Sequence, residues 1–253
     1  MNISDSTQNW SIIILCYNEE ATIKKVIEDA LSTLAIISSK QGQLIVVNDG
    51  SQDNSHQIIT KLQNKIKNLT YVNHHTNKGI GQSLDAGYAK AEMENVIMIP
   101  GDGQFNLEEL IPYKSFPDHT FLSFYRVNNR QYNRSRKWLS SANRILNKSF
   151  IGIDLKDVNW VNAYKTQQLK TLNLKVKSSL VESEICAKLS FLGKTAIEVK
   201  SNYHQNNNSQ STGASYKIVK QAFVDIPKLI FSCLSFKRKV KQQAVTSDFK
   251  HVI

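Results

Sequence analysis

Ile97-Met98-Ile99-Pro100-Gly101-Asp102-Gly103-Gln104 is an apolar run that stops at an isolated acidic residue. A buried strand ending in a carboxylate sets one hard oxygen ligand at the lip of a sheet. In open α/β sheets that lip, outside the carboxyl ends of the strands, is where ligands bind. An aspartate there suits a divalent cation bridging two phosphates, so the stretch points to nucleotide chemistry.

The flanking sequence supplies the rest of such a sheet. Short apolar runs at Ser11 to Cys16, Leu44 to Val47, Leu69 to Val72 and Val96 to Ile99 alternate with helical patterns at Glu19 to Ile37, Asn54 to Ile66 and Ile80 to Met93. Continuous apolar strands separated by helices are the mark of βαβ units and a parallel sheet. The expected fold class is therefore α/β, a Rossmann-like, mostly parallel central sheet flanked by helices, in one domain with a helical C-terminal tail. Beyond Asp118 the pattern loosens. A strand is expected at Phe121 to Phe124, helices at Arg134 to Phe150 and Val181 to Leu192, and a polar loop at Asn202 to Ser215. A helical tail follows from Ser215 to Phe236, broken or kinked near Pro227. The expected division is 1–200 for the main domain and 201–253 for the loop and basic tail.

Composition bounds the partners. With 253 residues the chain can bury a full core, and its net charge of +11 draws polyanions at long range. The polar N-terminus lacks a signal-peptide layout and no apolar run approaches the roughly 20 residues of a membrane span, which predicts a cytoplasmic protein. Cys16, Cys186 and Cys233 are far apart and odd in number, and read as reduced core thiols. His74-His75 read as strand-end residues, without ligand-spaced partners for a metal. Nucleic acid is not an expected partner, because aromatic platforms with interleaved arginine are missing.

Two further segments end strands at the same sheet edge as Asp102: Tyr17-Asn18-Glu19-Glu20 after the first, and Asn48-Asp49-Gly50-Ser51-Gln52-Asp53 after the second. The second also fits a helix N-cap and turn. Asn77-Lys78-Gly79-Ile80-Gly81 opens a helix, with amides and a lysine that could face a diphosphate, though helix entry alone would explain it.

In order, SIIILCYNEE, VVNDGSQD, the Asn77 to Gly81 turn, the GDGQ holding Asp102 and the later Asp154 stretch resemble family 2 glycosyltransferases of GT-A fold, especially the branch of dolichyl- and polyprenyl-phosphate sugar synthases. The resemblance runs from about Ser11 to Val199. It implies that Tyr17, Asn18, Glu19, Asp49, Lys78, Gly79 and Asp102 bind the nucleotide sugar. Asp102 and Gln104 would hold Mg²⁺ or Mn²⁺ on the diphosphate. The acidic residue usual two positions before Asp102 is Pro100 here, and Asn48 replaces an Asp often found beside Asp49. Mg²⁺ commonly uses one or two protein carboxylates, so coordination falls to Asp102, Gln104, diphosphate and water.

The acceptor side is read from charge. Arg126, Arg130, Arg134, Arg136, Lys137, Arg144 and Lys148 run without an acidic residue, as a solvated face or as a phosphate and membrane contact. The resemblance implies Arg126, Arg134, Arg136, Ser215 and Lys217 for the acceptor; the expected catalytic residues are Asp102, Arg126 and, from the chemistry of a hydroxyl acceptor, Glu184. The implied activity is inverting transfer from a nucleoside-diphosphate sugar to a membrane-associated acceptor, polyprenyl phosphate. Transfer to a glycan hydroxyl with Glu182 or Glu184 as base is the first alternative, and those two acids equally suit the first turn of a helix. A non-catalytic nucleotide-sugar-binding protein, suggested by Pro100, is the second. Lys237, Arg238, Lys239 and Lys241, after Leu229, Ile230, Phe231, Leu234 and Phe236, suit attachment to an anionic membrane surface, peripheral on the inner face of the cell membrane, or form an ordinary basic tail.

Overall fold

The computed structural model describes residues 8–127, 141, 143–202 and 216–250, side chains at 216–219 and 244–250 apart. Among the described residues seven strands form one sheet in the order β3-β2-β1-β4-β6-β5-β7. They are β1 (Trp10–Cys16), β2 (Gln43–Asn48), β3 (Leu69–Asn73), β4 (Asn95–Pro100), β5 (Thr120–Arg126), β6 (Asn162–Lys165) and β7 (Thr195–Ser201). The helices are α1 (Ile23–Ile37), α2 (Ser55–Gln63), α3 (Ile80–Lys90), α4 (Thr166–Thr171), α5 (Val181–Phe191) and α6 (Tyr216–Lys250). The first four strands and their helices form as the apolar runs predict.

Both faces of the sheet are covered, which is why those runs are continuous rather than alternating. Ile12 and Ile14 of β1 join one core with Ile23 and Ile27 of α1, while Ile13 between them joins the other with Leu84 of α3 and Ile185 of α5. β1 pairs in parallel with β2 on one side and β4 on the other, Leu15 lying opposite both Val47 and Pro100. The chain thus builds outward from β1 to β3 and then reverses across β1 to β4. That reversal opens a crevice at the carboxyl ends of β1 and β4, the topological switch point of the sheet.

The second half departs from the expected elements. β6 enters antiparallel between β4 and β5, and β7 adds in parallel to β5 at the edge. Neither was anticipated: β6 has only four residues, and β7 mixes polar with apolar positions because most of it is only half-buried. Of the helix expected over 134–150, residues 134–140 and 142 lie outside the described residues; 141 and 143–146 are helical, and 143–146 pass into a π-helical turn at Asn147–Ile151. The expected loop lies outside the description from 203 to 215. The tail is one helix, unbroken at Pro227, whose ring faces solvent. Leu229 and Cys233 of this helix are fully buried against α5.

All three cysteines are buried and unpaired by disulfides, as expected. Burial pushes the Cys16 thiol up to about 11 and that of Cys233 up to about 12, so both stay protonated and unreactive. Gly81, in the first turn of α3, explains the close approach of the 177–178 loop: a Cβ there would lie 2.2 Å from the Lys177 carbonyl oxygen.

Candidate active site

The loops leaving β1, β2 and β4 are tied to one another by side chains the sequence places at their bases. Gly101 N–H donates to the Leu15 carbonyl at 2.8 Å, extending the β1–β4 ladder past Pro100. Thr22, just before α1, donates from Oγ1 to the Gly101 carbonyl at 2.8 Å and lies 3.3 Å from Glu19 Oε2. Ser51 and Ser55 accept from the Asn18 and Glu19 amides, each at 2.9 Å, and Asn18 Oδ1 accepts from the Gln52 amide at 2.8 Å. Asn18 holds a left-handed φ of 57°, a conformation that asparagine tolerates better than most residues. Asp53 accepts from the Glu20 amide at 2.9 Å.

Glu19 and Asp102 therefore approach the β1/β4 crevice from its two sides. Burial, reinforced by the charge of Asp102, pushes the Glu19 carboxyl up to about 7. Two carboxylates that raise each other's cost of ionisation are relieved by a divalent cation, and their hard oxygens match Mg²⁺ or Mn²⁺. Gln104 is buried directly after them, its amide donating to Asp102 Oδ1 at 3.0 Å. The donor set fits such a cation. Among the described residues no group of three His, Cys, Asp or Glu side chains forms a metal cage by itself, so a cation here also needs oxygens from a diphosphate or water.

Asp49 has a different position from the one expected for a residue that meets a base directly. It is buried, and its oxygens accept from the Lys78 and Gly79 amides, both at 2.9 Å, with His74 Nδ1 at 3.0 Å. Asp49 is thus the clasp that fixes the turn before α3. The expectation that these amides face a diphosphate is corrected, since both are spent on Asp49; the Lys78 side chain itself is exposed at the edge. Gly50 allows the clasp to close, because a Cβ there would lie 2.5 Å from the Thr76 backbone. Asn48 uses its amide both ways, donating to Tyr71 and Asn73 while accepting from Ser51. A carboxylate could not make both sets of bonds. Tyr17 is half-exposed beside the same edge.

Glu182 and Glu184 require a correction. Both lie inside the core, on α5, and neither reaches the crevice. Glu184 is fully buried and accepts from Lys188 Nζ at 2.6 Å, from the Lys175 and Val176 amides at 2.9 Å each, and from Ser232 on α6 at 2.5 Å. Glu182 accepts from Tyr88 at 2.7 Å, from Asn162 at 3.0 Å and from Tyr164. Burial raises its carboxyl above the usual range. A general base must reach the proton it takes, and these two acids are occupied in holding α5 to its neighbours.

Arg126, at the end of β5, is bound in a bidentate pair by Asp157, at 2.7 and 2.9 Å, with its guanidinium 4.5 Å from the ring centroid of Trp160. The planar fork is oriented by these contacts. Asp154 is exposed and pairs with Lys148 at 2.7 Å. Arg134, Arg136 and Ser215 lie outside the described residues, and Lys217 begins α6 without a described side chain. Sequence reasoning missed Thr22, His74 as the partner of Asp49, and Asp157; only Asp157, standing near Asp154 in the late motif, had a sequence signal.

Residues 11–174 match the family model described as glycosyl transferase family 2. Similar curated proteins include a dolichyl-phosphate beta-glucosyltransferase of Trichomonas vaginalis, 26% identical over 39% of this chain and 32% of its own length. A poly-beta-1,6-N-acetyl-D-glucosamine synthase of Staphylococcus aureus is 26% identical over 58% of this chain and 31% of its own length. The matches span about a third of these relatives. Among solved structures, glucosyl-3-phosphoglycerate synthase from Mycobacterium tuberculosis in complex with UDP superposes with a TM-score of 0.63 at 16% identity, covering 91% of this chain and 80% of that one. A mannosyltransferase from Pyrobaculum calidifontis in complex with GDP-Man and Mn²⁺ gives 0.61 at 14% identity, over 96% and 76%. These structures share the fold.

Two expectations follow from the carboxylates. Between its ordinary value near 4.5 and about 7, Glu19 holds its proton more tightly folded than unfolded, so stability falls as pH rises through that window. In EDTA, Glu19→Gln should melt higher than the native protein at pH 8 and equal it near pH 4.5; a difference that does not grow with pH contradicts the raised Glu19 carboxyl. Glu184→Gln should cost about 3 kcal/mol in urea unfolding, because it leaves Lys188 buried without its counter-charge. An unchanged midpoint would contradict that role.

Proposed function

Because the chain belongs to glycosyl transferase family 2, we propose that it is an inverting glycosyltransferase carrying a sugar from a nucleoside diphosphate to polyprenyl phosphate at the inner face of the cytoplasmic membrane. The observation that carries this reading is the convergence of Glu19 and Asp102 at the β1/β4 switch point, the position in such sheets where nucleotides lie. The likeness to structures solved with UDP, and with GDP-Man and Mn²⁺, supports a nucleoside-diphosphate donor.

Asp102 and Gln104 would hold Mg²⁺ or Mn²⁺, with Glu19 beside them, and such a cation would supply positive charge to a diphosphate leaving group. Tyr17 and Asn18 border the space for the base and ribose. Asp49 acts one step back, setting the Lys78-Gly79 turn, from which the exposed Lys78 side chain serves the diphosphate. On the acceptor side, Arg126 receives the lipid phosphate with its guanidinium fixed by Asp157. Arg134, Arg136, Ser215 and Lys217 join it in this proposal on the strength of the sequence resemblance.

The acceptor class is supported by chemistry and by likeness. A phosphate acceptor is already ionised and needs no base, whereas a hydroxyl needs one, and the acids of α5 are enclosed in the core. One curated relative is a dolichyl-phosphate glucosyltransferase. In the reaction a phosphate oxygen of the acceptor bonds to the anomeric carbon as the bond to the diphosphate oxygen breaks, with inversion. The residues contribute orientation and fixed charge.

The test is nucleoside diphosphate release from a panel of sugar nucleotides, in Mn²⁺ or EDTA, with and without undecaprenyl phosphate. The expected result is metal-dependent release stimulated by the lipid, and lowered about a hundredfold or more by Asp102→Ala, equivalent to roughly 3 kcal/mol in the barrier. Stimulation by a glycan hydroxyl alone would overturn the acceptor assignment. Donor binding without turnover on either would favour a binding protein marked by Pro100.

A further inference from the structure

We propose that the outward face of α6 is a docking surface for an anionic lipid bilayer. The inference rests on the reading of the acceptor as a membrane lipid, and it gives that reading a surface. α6 is pinned from one side. Asp225 accepts from the Lys177 amide at 3.2 Å, Ser232 bonds Glu184, and Leu229 and Cys233 have no exposure at all. Phe236 packs partly against the same core, near Lys188. The inward residues thus recur at three- and four-residue spacing, and their opposite is exposed among the described residues.

That opposite face is apolar where solvent would favour polar side chains. Phe223 is 57% exposed, Val224 58%, Phe231 76% and Leu234 42%, and Pro227 joins them on the same stripe. Single exposed apolar residues are ordinary, whereas a contiguous file of large ones marks an interaction site. Toward the C-terminal end the stripe passes into Lys237, Arg238, Lys239 and Lys241, all exposed. The sequence from 226 to 247 contains no acidic residue, and the one acid just before it, Asp225, is turned inward and paired with Lys228 at 2.9 Å.

Phe231, Leu234, Ser235, Arg238, Lys239 and Gln242 lie together along this face of the one helix. They combine apolar groups with two cations, the pairing that a lipid with an anionic headgroup presents in reverse. A second copy of the chain fits less well, because the same stripe of another α6 offers these cations no counter-charge: residues 226–247 contain no acidic residue. The structure also corrects the set of anchors expected from sequence: Leu229 and Phe236 belong to the core side, and Phe223 and Val224, outside the expected set, belong to the exposed one.

The test uses the full chain and vesicles without sugar nucleotide or acceptor, so that it is independent of turnover. Vesicles of phosphatidylcholine with a quarter phosphatidylglycerol should sediment the protein, and pure phosphatidylcholine should not. Phe231→Ser with Leu234→Ser, and separately Arg238→Gln with Lys239→Gln, should each weaken partition about tenfold while circular dichroism stays native. Native-level partition by both variants, or no difference between the two vesicles, overturns the proposal. So does a concentration-dependent dimer, seen by sedimentation velocity, that Phe231→Ser abolishes. Nucleoside diphosphate release with a short, water-soluble polyprenyl phosphate separates the two readings. If the acceptor reading holds, both variants retain that release; if the native protein shows none while vesicle binding persists, the acceptor reading fails and the docking surface stands.

Discussion

β1 and β4 lie side by side, parallel and in register, and the chain must leave both at the same level. The Gly101 amide continues that pairing one bond past the strand, onto the Leu15 carbonyl. A side chain at 101 would close on the same oxygen, since its Cβ would lie 2.7 Å away. With the two exits held this close, Thr22 can reach from the start of α1 to the Gly101 carbonyl, and the carboxyls of Glu19 and Asp102 are brought to one crevice. The loops of β1 and β2 are joined in turn by Ser51, Ser55 and Asp53, so the edge is set before any ligand arrives.

The acidic residues divide by what surrounds them. Glu19 and Asp102 stand at the exits of β1 and β4, where burial and then the charge of Asp102 make ionising Glu19 costly and a cation is the natural remedy. Glu184 sits in a fully buried pair with Lys188, supplemented by backbone amides and Ser232, so its charge is satisfied inside the fold. Buried pairs of this kind rarely add stability over a well-packed apolar core, but removing one partner is expensive. This pair also joins α5 to α6, the helix whose other face carries the exposed Phe231 and Leu234. Core electrostatics and surface chemistry are thereby linked through one helix.

The strands nearest the site were legible because parallel strands covered on both faces must be apolar throughout, as in Ile12-Ile13-Ile14 and Leu44-Ile45-Val46-Val47. Polar residues immediately after them located the edge, and Asp102 and Glu19 were read correctly as edge residues. The partners of those residues were less legible. Asp49 resembles a ligand group in sequence, yet its three donors, His74, Lys78 and Gly79, come from a turn some 25 to 30 positions away. Glu182 and Glu184 are first-turn acids of α5, as the sequence allowed, but their enclosure in the core was not legible, because burial of a charge depends on tertiary neighbours. The i,i+4 spacing of Glu184 and Lys188 on a helix otherwise rich in apolar residues was the available signal. β6 and β7 escaped because four residues are too few to show a period and an edge strand need not be apolar.

A cation and a nucleoside diphosphate are proposed to lie between the exits of β1 and β4. Paramagnetic broadening of backbone amide resonances by Mn²⁺, in the presence of UDP or GDP, tests this placement most directly. Loss of signal is expected to centre on residues 17–22 and 101–104, to spare α5, and to be abolished by Asp102→Ala. Broadening centred instead on the exposed Lys148–Asp154 pair, or an unchanged pattern in Asp102→Ala, would contradict it.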